Sequence, residues 1–334
     1  MRFLVIGAGS IGTRHIKNLL YLKQKVAVCE PDNSRRRKLS REFGIETYKD
    51  LQTALERGNY DAAVIANPTV YHVSSAIKAA ERGLHLFIEK PLSGSLEGVD
   101  KLIKLVRRKK LCTFIGSNWK FHPRFKRLKK LLDEKRIGKV LTFSSTSGGY
   151  LPDLRPDADY RRIYSAKKSL GGGVILDTHQ FDYVQWLLGD IRKISCFSGK
   201  RSNLKIDTED VADTIVELKG GITGGIHVDY IQQPWSRVYF FYGNRGCIEY
   251  SDRDGKLDLY DAGTKKWRKF NNVKKNYDSN NMFINEMKHF INVLKGKERA
   301  ITDIHTAKQA LKVAEAAKTS SARGRAVNIP GGKK

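Results

Sequence analysis

Short apolar runs alternate with longer amphipathic stretches through the first third of the chain. Residues 2–6, 26–29, 61–66, 84–88 and 111–116 are compact and apolar, as strands buried on both faces of a parallel sheet are. Between them a helical pattern runs from the first glycine-rich turn to about Leu22, and again over 33–43, 50–57, 70–82 and 95–110. Strands alternating with helices over about 115 residues predict a doubly wound parallel sheet.

After Gly116 the texture changes. Residues 123–134 predict an amphipathic helix with a basic outer face, and 139–147 a strand. Residues 148–169 are irregular and carry Tyr150, Arg155, Asp159, Tyr160, Arg161 and Tyr164; a long irregular segment in a compact protein commonly serves function. Gly171-Gly172-Gly173 leads into a helical run over 177–188, and 191–198, 210–218, 223–230, 236–242 and 246–250 read as successive strands. Turns such as Lys219-Gly220-Gly221 separate these strands, which predicts an open, mainly antiparallel sheet. Helices over about 280–295 and 305–321 follow. The expected organisation is an N-terminal Rossmann domain over 1–120 and an α+β domain over 121–334 for substrate and assembly.

Candidate chemistry gathers at the predicted strand ends, where an open α/β sheet holds its ligand. Gly7-Ala8-Gly9-Ser10-Ile11-Gly12 matches G-x-G-x-x-G between a first strand and a helix. Gly7 permits the tight turn, Gly9 lets the backbone approach a pyrophosphate, and Gly12 lets helix and strand pack closely. The helix N-terminus offers N–H groups and a positive dipole end to phosphates. Glu30 ends the second strand, eighteen residues past Gly12, where an acid takes the ribose hydroxyls. A carboxylate there favours NAD over NADP. Arg35-Arg36-Arg37 open the next helix, so NADP stays open as the alternative. Asn67-Pro68-Thr69, with His72 beyond, and Glu89-Lys90-Pro91 close two further strands on the same edge.

The chain has 334 residues, 40% of them hydrophobic, and a net charge of +27. Its basic runs, Arg35 to Arg37, Arg107 to Lys110, Arg124 to Lys130 and Lys274-Lys275, are scattered over separate elements without a nucleic-acid motif. A solvated basic surface is the preferred reading, and no specific nucleic acid is expected. No apolar run reaches the roughly 18 residues that span a bilayer. The apolar start runs straight into a glycine turn, a first strand and not a signal peptide, so a cytoplasmic protein is expected. Cys29, Cys112, Cys196 and Cys247 sit in or beside strand-like runs as core residues, without metal-site spacing.

The motif set as a whole resembles the Gfo/Idh/MocA oxidoreductase family, which includes glucose–fructose oxidoreductase and inositol dehydrogenase. It rests on Gly7/Gly9/Gly12, Asn67-Pro68-Thr69 with His72, Glu89-Lys90-Pro91, Gly171 to Gly173, His179-Gln-Phe-Asp182 and the final helices. Tyr150-Leu-Pro-Asp, Asp159-Tyr160-Arg161, Tyr164-Ser165-Ala166, Thr208-Glu209-Asp210 and His227-Val-Asp229-Tyr230 further resemble members from nucleotide-sugar and polysaccharide pathways.

The resemblance implies a cofactor site from Gly7, Gly9, Ser10, Ile11, Gly12, Glu30, Asn67, Pro68, Thr69, His72, Glu89 and Lys90. It implies Lys90, His179 and Asp177 as catalytic, with no metal, and Lys120, Tyr150, Tyr160, Arg161, Tyr164 and Asp182 on the sugar substrate. It also implies a homodimer or homotetramer through the second domain's sheet. The family commonly places an aspartate four residues before the helical histidine; here Asp177 lies two before His179. Lys120 stands where the family often has an arginine.

The chemistry implied is hydride transfer with a sugar, either His179 or Lys90 taking the hydroxyl proton. The alternatives are an NAD-dependent glycosidase of the same fold, which releases sugar without net NADH, and a non-catalytic NAD(P)-binding regulator. A nucleic-acid binder is a further rival, motivated by charge alone.

Overall fold

The computed structural model describes residues 1–154, 156, 158–177, 179–270 and 277–330, with the backbone alone at Asp177. Arg155 and Lys274-Lys275, singled out above, lie outside the described residues. The first stretch runs β1 (Arg2–Ile6), α1 (Ser10–Tyr21), β2 (Lys25–Cys29), α2 (Asn33–Phe43), β3 (Glu46–Tyr48) and α3 (Leu51–Arg57). It continues through β4 (Ala62–Ile65), α4 (His72–Glu81), β5 (His85–Ile88), α5 (Val99–Arg108) and β6 (Thr113–Ile115). These strands form a six-stranded sheet, ordered β3-β2-β1-β4-β5-β6, with every pairing parallel. The order reverses beside β1, so the crevice opens at the C-terminal ends of β1 and β4. Asp32 and Asp50 cap α2 and α3 by accepting the N–H groups of Arg35 and Thr53.

The chain goes on through α6 (Pro123–Asp133), β7 (Val140–Gly148), α7 (Val174–Asp177), α8 (Gln180–Leu188), β8 (Ile191–Gly199), β9 (Val211–Leu218) and β10 (Thr223–Asp229). It ends with β11 (Ser236–Gly243), β12 (Gly246–Ser251), β13 (Lys256–Asp261), β14 (Lys266–Lys269), α9 (Asn280–Leu294), α10 (Ile304–Arg323) and β15 (Val327–Asn328). The nine-stranded sheet runs β14-β13-β12-β11-β7-β10-β9-β8-β15. It is antiparallel except at its centre, where β7 and β10 pair in parallel from Thr142↔Thr223 to Gly148↔Asp229. The expected helix over 177–188 is two helices, α7 and α8, with His179 at the break. Strands β3, β13, β14 and β15 add to those the apolar pattern predicted.

The chain divides into two compact units. The first comprises Met1–Phe121 and Asp278–Lys308, the second His122–Tyr277 and Gln309–Lys334. The expected split into 1–120 and 121–334 therefore differs over 278–308. The reason is apolar packing. On α9, Met287, Phe290 and Ile291 are buried in one core with Phe3, Val5, Phe87 and Phe114. Phe290 meets Phe87 at 5.6 Å, Phe114 at 5.9 Å and Phe3 at 6.3 Å between ring centroids. In the second unit Phe125 of α6 plays the same part, with Tyr183, Trp186, Tyr239 and Tyr250 all within 5.8 Å.

Candidate active site

In the first unit the glycine turn joins β1 to α1. Gly7 has φ +92, and a Cβ there would lie 2.7 Å from the Asn67 backbone. A Cβ on Gly12 would lie 2.0 Å from the Gly7 carbonyl oxygen. Both positions exclude any side chain, for the reasons the motif implies. Gly9 differs: a Cβ there meets nothing within 4 Å. The space beside Gly9 is open, and Gly9 caps α1 without any side-chain hydrogen bond. The first N–H groups of α1 thus have no side-chain acceptor, the arrangement that receives a dinucleotide pyrophosphate. Ser10 opens the helix and is exposed, and Ile11 follows half-buried. A pocket of about 340 Å³ borders the turn, with Lys17, Arg35 and Lys38 among its lining residues. These cations suit a phosphate-bearing ligand.

Glu30 is buried at the end of β2. Its carboxylate accepts the N–H of Ala8 at 2.7 Å and that of Asp32 at 3.0 Å, with Arg35 Nη1 3.8 Å away. It braces the glycine turn as well as standing where a ribose-binding acid is expected.

At the ends of β4 and β5, His72 is buried and bridges two loops. Its Nδ1 lies 2.8 Å from the Pro91 carbonyl and its Nε2 2.8 Å from the Asn67 carbonyl. Burial pushes its pKa down, against those two bonds. Asn67 Nδ2 donates to Ser75 Oγ at 2.9 Å, which fixes the amide. Pro68 is exposed, while Thr69 is buried and starts a short 3₁₀ turn. Glu89 accepts from buried His15 Nε2 at 2.5 Å and from the Lys90 N–H at 3.2 Å. Lys90 itself is half-buried, and its bond to Pro91 is cis.

Lys120, expected on substrate, is fully buried, and its Nζ donates to Thr302 Oγ1 at 2.8 Å.

In the second unit His179 sits in the N-cap position of α8, half-buried, without capping the helix through its side chain. Its ring stacks on Tyr183 at 5.0 Å between centroids and 5° between planes. Asp182 lies in the first turn of α8. Asp177 ends α7, and its side chain lies outside the described residues. Arg161 forms a fork with Asp159, Nε to Oδ1 at 2.8 Å and Nη2 to Oδ2 at 2.9 Å. Tyr160 Oη accepts the Lys205 N–H at 3.2 Å. Tyr150 and Tyr164 are half-buried. The bonds of Arg161 are local, whereas that of Tyr160 joins segments 45 residues apart.

Three residues of these units went unread in the sequence. Arg237 is buried, with its guanidinium 5.2 Å from the Tyr183 ring and 5.4 Å from that of Trp235. It shares the inward register of β11 with Tyr239 and Phe241, and an arginine in an apolar register was the readable signal. Glu286 likewise sits on the apolar stripe of α9 between Met282 and Phe290. His15 occupies a buried position on α1.

The parallel sheet in this strand order and a glycine turn excluding side chains at Gly7 and Gly12 define a dinucleotide-binding domain. Residues 1–117 match the oxidoreductase family with an NAD-binding Rossmann fold, and residues 125–249 match the GFO/IDH/MocA C-terminal domain. The chain belongs to the GFO/IDH/MocA oxidoreductases, and its first domain is their NAD-binding domain. It is similar to myo-inositol 2-dehydrogenase of Thermotoga maritima, 29% identical over 350 residues covering 98% of both chains. It is also similar to the crystal structure of a probable dehydrogenase from Thermotoga maritima, with TM-score 0.82, 27% identity and coverage of 98% and 99%. It shares the fold of WlbA dehydrogenase from Bordetella pertussis, solved with NADH and UDP-GlcNAcA, at TM-score 0.85, 20% identity and 99% coverage of each chain. Among the described residues no group of His, Cys, Asp and Glu side chains is arranged to hold a metal ion.

Proposed function

We propose that the chain catalyses reversible hydride transfer between NAD and a secondary hydroxyl carbon of a sugar or polyol, free or nucleotide-linked. The observation that carries this reading is Lys90, which follows β5 on the strand-end edge that carries the glycine turn and is tied at its backbone to Glu89. NAD supplies the two-electron acceptor. The substrate hydroxyl gives up its proton as the hydride leaves, and His179 takes it. The lysine ammonium donates a hydrogen bond to the same oxygen as negative charge develops there. Asp177 orients His179. Tyr150, Tyr160, Arg161, Tyr164 and Asp182 hold substrate hydroxyls, and the buried Glu30 supports NAD over NADP. Relatives named as inositol dehydrogenases support a polyol substrate.

The described helices include none long and apolar enough to cross a membrane. We place the protein in the cytoplasm as a homodimer or homotetramer. One face of the nine-stranded sheet exposes Phe197 of β8, Ile215 of β9 and Tyr242 of β11 on rungs two residues apart, which supports that face as the contact.

The test is NADH formation across a panel of inositols, free sugars and nucleotide sugars. Wild type turns over at least one, and Lys90→Ala and His179→Ala, each folded, lose activity by about two orders of magnitude or more. Full activity in either variant removes that residue from the mechanism. Sugar release without NADH replaces the dehydrogenase reading with the glycosidase one.

A further inference from the structure

Three ionisable side chains are buried behind the strand end that carries Lys90, and a fourth, Glu89, lies with them 12% exposed. His15 comes from α1, Glu89 from the end of β5, Lys120 from the turn after β6, and Glu286 from α9. His15 and Lys120 are 0% exposed and Glu286 is 1% exposed. The two acids flank one stretch of backbone. Glu89 Oε2 lies 3.1 Å from the point a Cβ on Gly116 would occupy, and Glu286 Oε1 accepts the N–H of the next residue, Ser117. Glu89 is fully engaged by His15 and the Lys90 N–H. Glu286 Oε2 is buried with no hydrogen-bond partner among the described residues.

His15 Nε2 lies against Glu89 Oε1, and its buried Nδ1 has no partner among the described residues. The Lys90 charge acts on Glu89 and the Lys120 charge on Glu286. As a carboxylate, Glu286 would be a buried charge with one oxygen unsolvated and a second carboxylate close by, which a proton on Glu286 relieves.

We propose that Glu89 and Glu286 form a one-proton acid pair, in which Glu286 holds the proton as a positioning residue. Glu89 is thereby kept anionic, so that it fixes the backbone of Lys90. The inference rests on the reading of Lys90 as catalytic. Burial and the neighbouring Glu89 charge push Glu286 well above the ordinary carboxyl range. Burial is the largest influence on Glu89 and pulls it upward, but His15 and Lys90 together outweigh it and hold Glu89 below its ordinary value. Both directions agree with the unpartnered, buried oxygen of Glu286. Were the proton to move to Glu89, one of its two oxygens would become a donor, and its hold on His15 and the Lys90 N–H would lose the charge that strengthens it.

Two measurements test the pair without needing the substrate. The first is the infrared band of a protonated carboxyl group in the whole wild-type protein between about pH 6 and 8, where ordinary carboxyls are ionised. The second is the NMR resonance of Lys90 after reductive ¹³C-methylation, assigned by its absence in Lys90→Arg. The band is expected in wild type and absent in Glu286→Gln, whose neutral amide oxygen still accepts from Ser117. The Lys90 resonance is expected to be unmoved in Glu286→Gln and displaced in Glu89→Gln. A wild type lacking the band overturns the pair even if neither variant folds. A band that survives Glu286→Gln, or a Lys90 resonance indifferent to Glu89→Gln, overturns it too. If Lys90→Ala retains turnover, the catalytic reading fails while the band and the resonance stand, so the two failures are distinguishable.

Discussion

Replacing Gly9 by alanine should separate cofactor binding from folding. Gly9 has φ −66 and ψ −167, values that alanine adopts without strain, and a Cβ there meets nothing within 4 Å. The free protein therefore tolerates the methyl group. It gains about 0.4–1 kcal/mol from the stiffer unfolded chain. The bound dinucleotide does not tolerate it, because the methyl fills the space through which phosphate oxygens approach the N–H groups of α1. Losing one or two charge-assisted hydrogen bonds of about 1.5–3 kcal/mol each weakens NADH binding by about 10- to 100-fold or more. Fluorescence titration with NADH and a thermal melt of the same preparation read both effects. Gly12→Ala is the contrasting case: its Cβ would lie 2.0 Å from the Gly7 carbonyl, so the melt itself must fall. A Gly9→Ala protein that binds NADH as tightly as wild type refutes the assignment of this turn to the pyrophosphate.

Other consequences are open to measurement. His227 lies between Asp229 at 2.9 Å and Asp213 at 2.7 Å, and chiefly the Asp229 bond pushes its pKa up to about 9. Its folded value lies above its unfolded one, so its stabilisation is complete below about pH 6.5 and fades as pH rises through about 9. Discounted for its partial exposure, His227→Gln should remove about 1–2 kcal/mol at pH 6 and little at pH 10, by denaturant unfolding. Phe290→Ala should cost about 3–5 kcal/mol, since the ring is buried against Phe3, Phe87 and Phe114. Burial, with Asp50 and Glu30 nearby, pushes the Cys29 thiol up to about 12, so Cys29 should resist alkylation at pH 8 until the protein unfolds. Glu30→Gln should narrow the preference for NADH over NADPH in paired titrations, because it removes the charge that repels a ribose phosphate.

The first sheet was legible because each of its long strands is apolar beyond at most its first residue and each is followed by a turn with its own chemistry. Strand β3 was missed because Glu-Thr-Tyr is too short and polar to register as a pattern; its place comes from pairing with β2. The parallel contact of β7 with β10 joins segments far apart in sequence, and no local periodicity encodes it. Strands β13 and β14 carry Lys, Asp and Arg between their apolar positions and read as polar chain. The cofactor turn was readable because its glycines answer to local sterics. Lys120, Glu286 and Arg237 were not, since only tertiary packing decides whether a charged side chain lies in solvent or core. The interruption at His179 was hidden because the polar residues around it fit a helix N-terminus as well as a helix interior.

The return of Asp278–Lys308 to the first unit also bears on how the protein is made. On the ribosome the Rossmann sheet emerges early, but the face that Met287, Phe290 and Ile291 cover stays bare until α9 is translated. At 5–20 residues per second that interval is roughly 10–40 s. During that time Phe87 and Phe114 lack their partner, a surface for a chaperone to hold. A chain cut short before α9 should not accumulate as a free dinucleotide-binding fragment, even though every residue of its glycine turn is present.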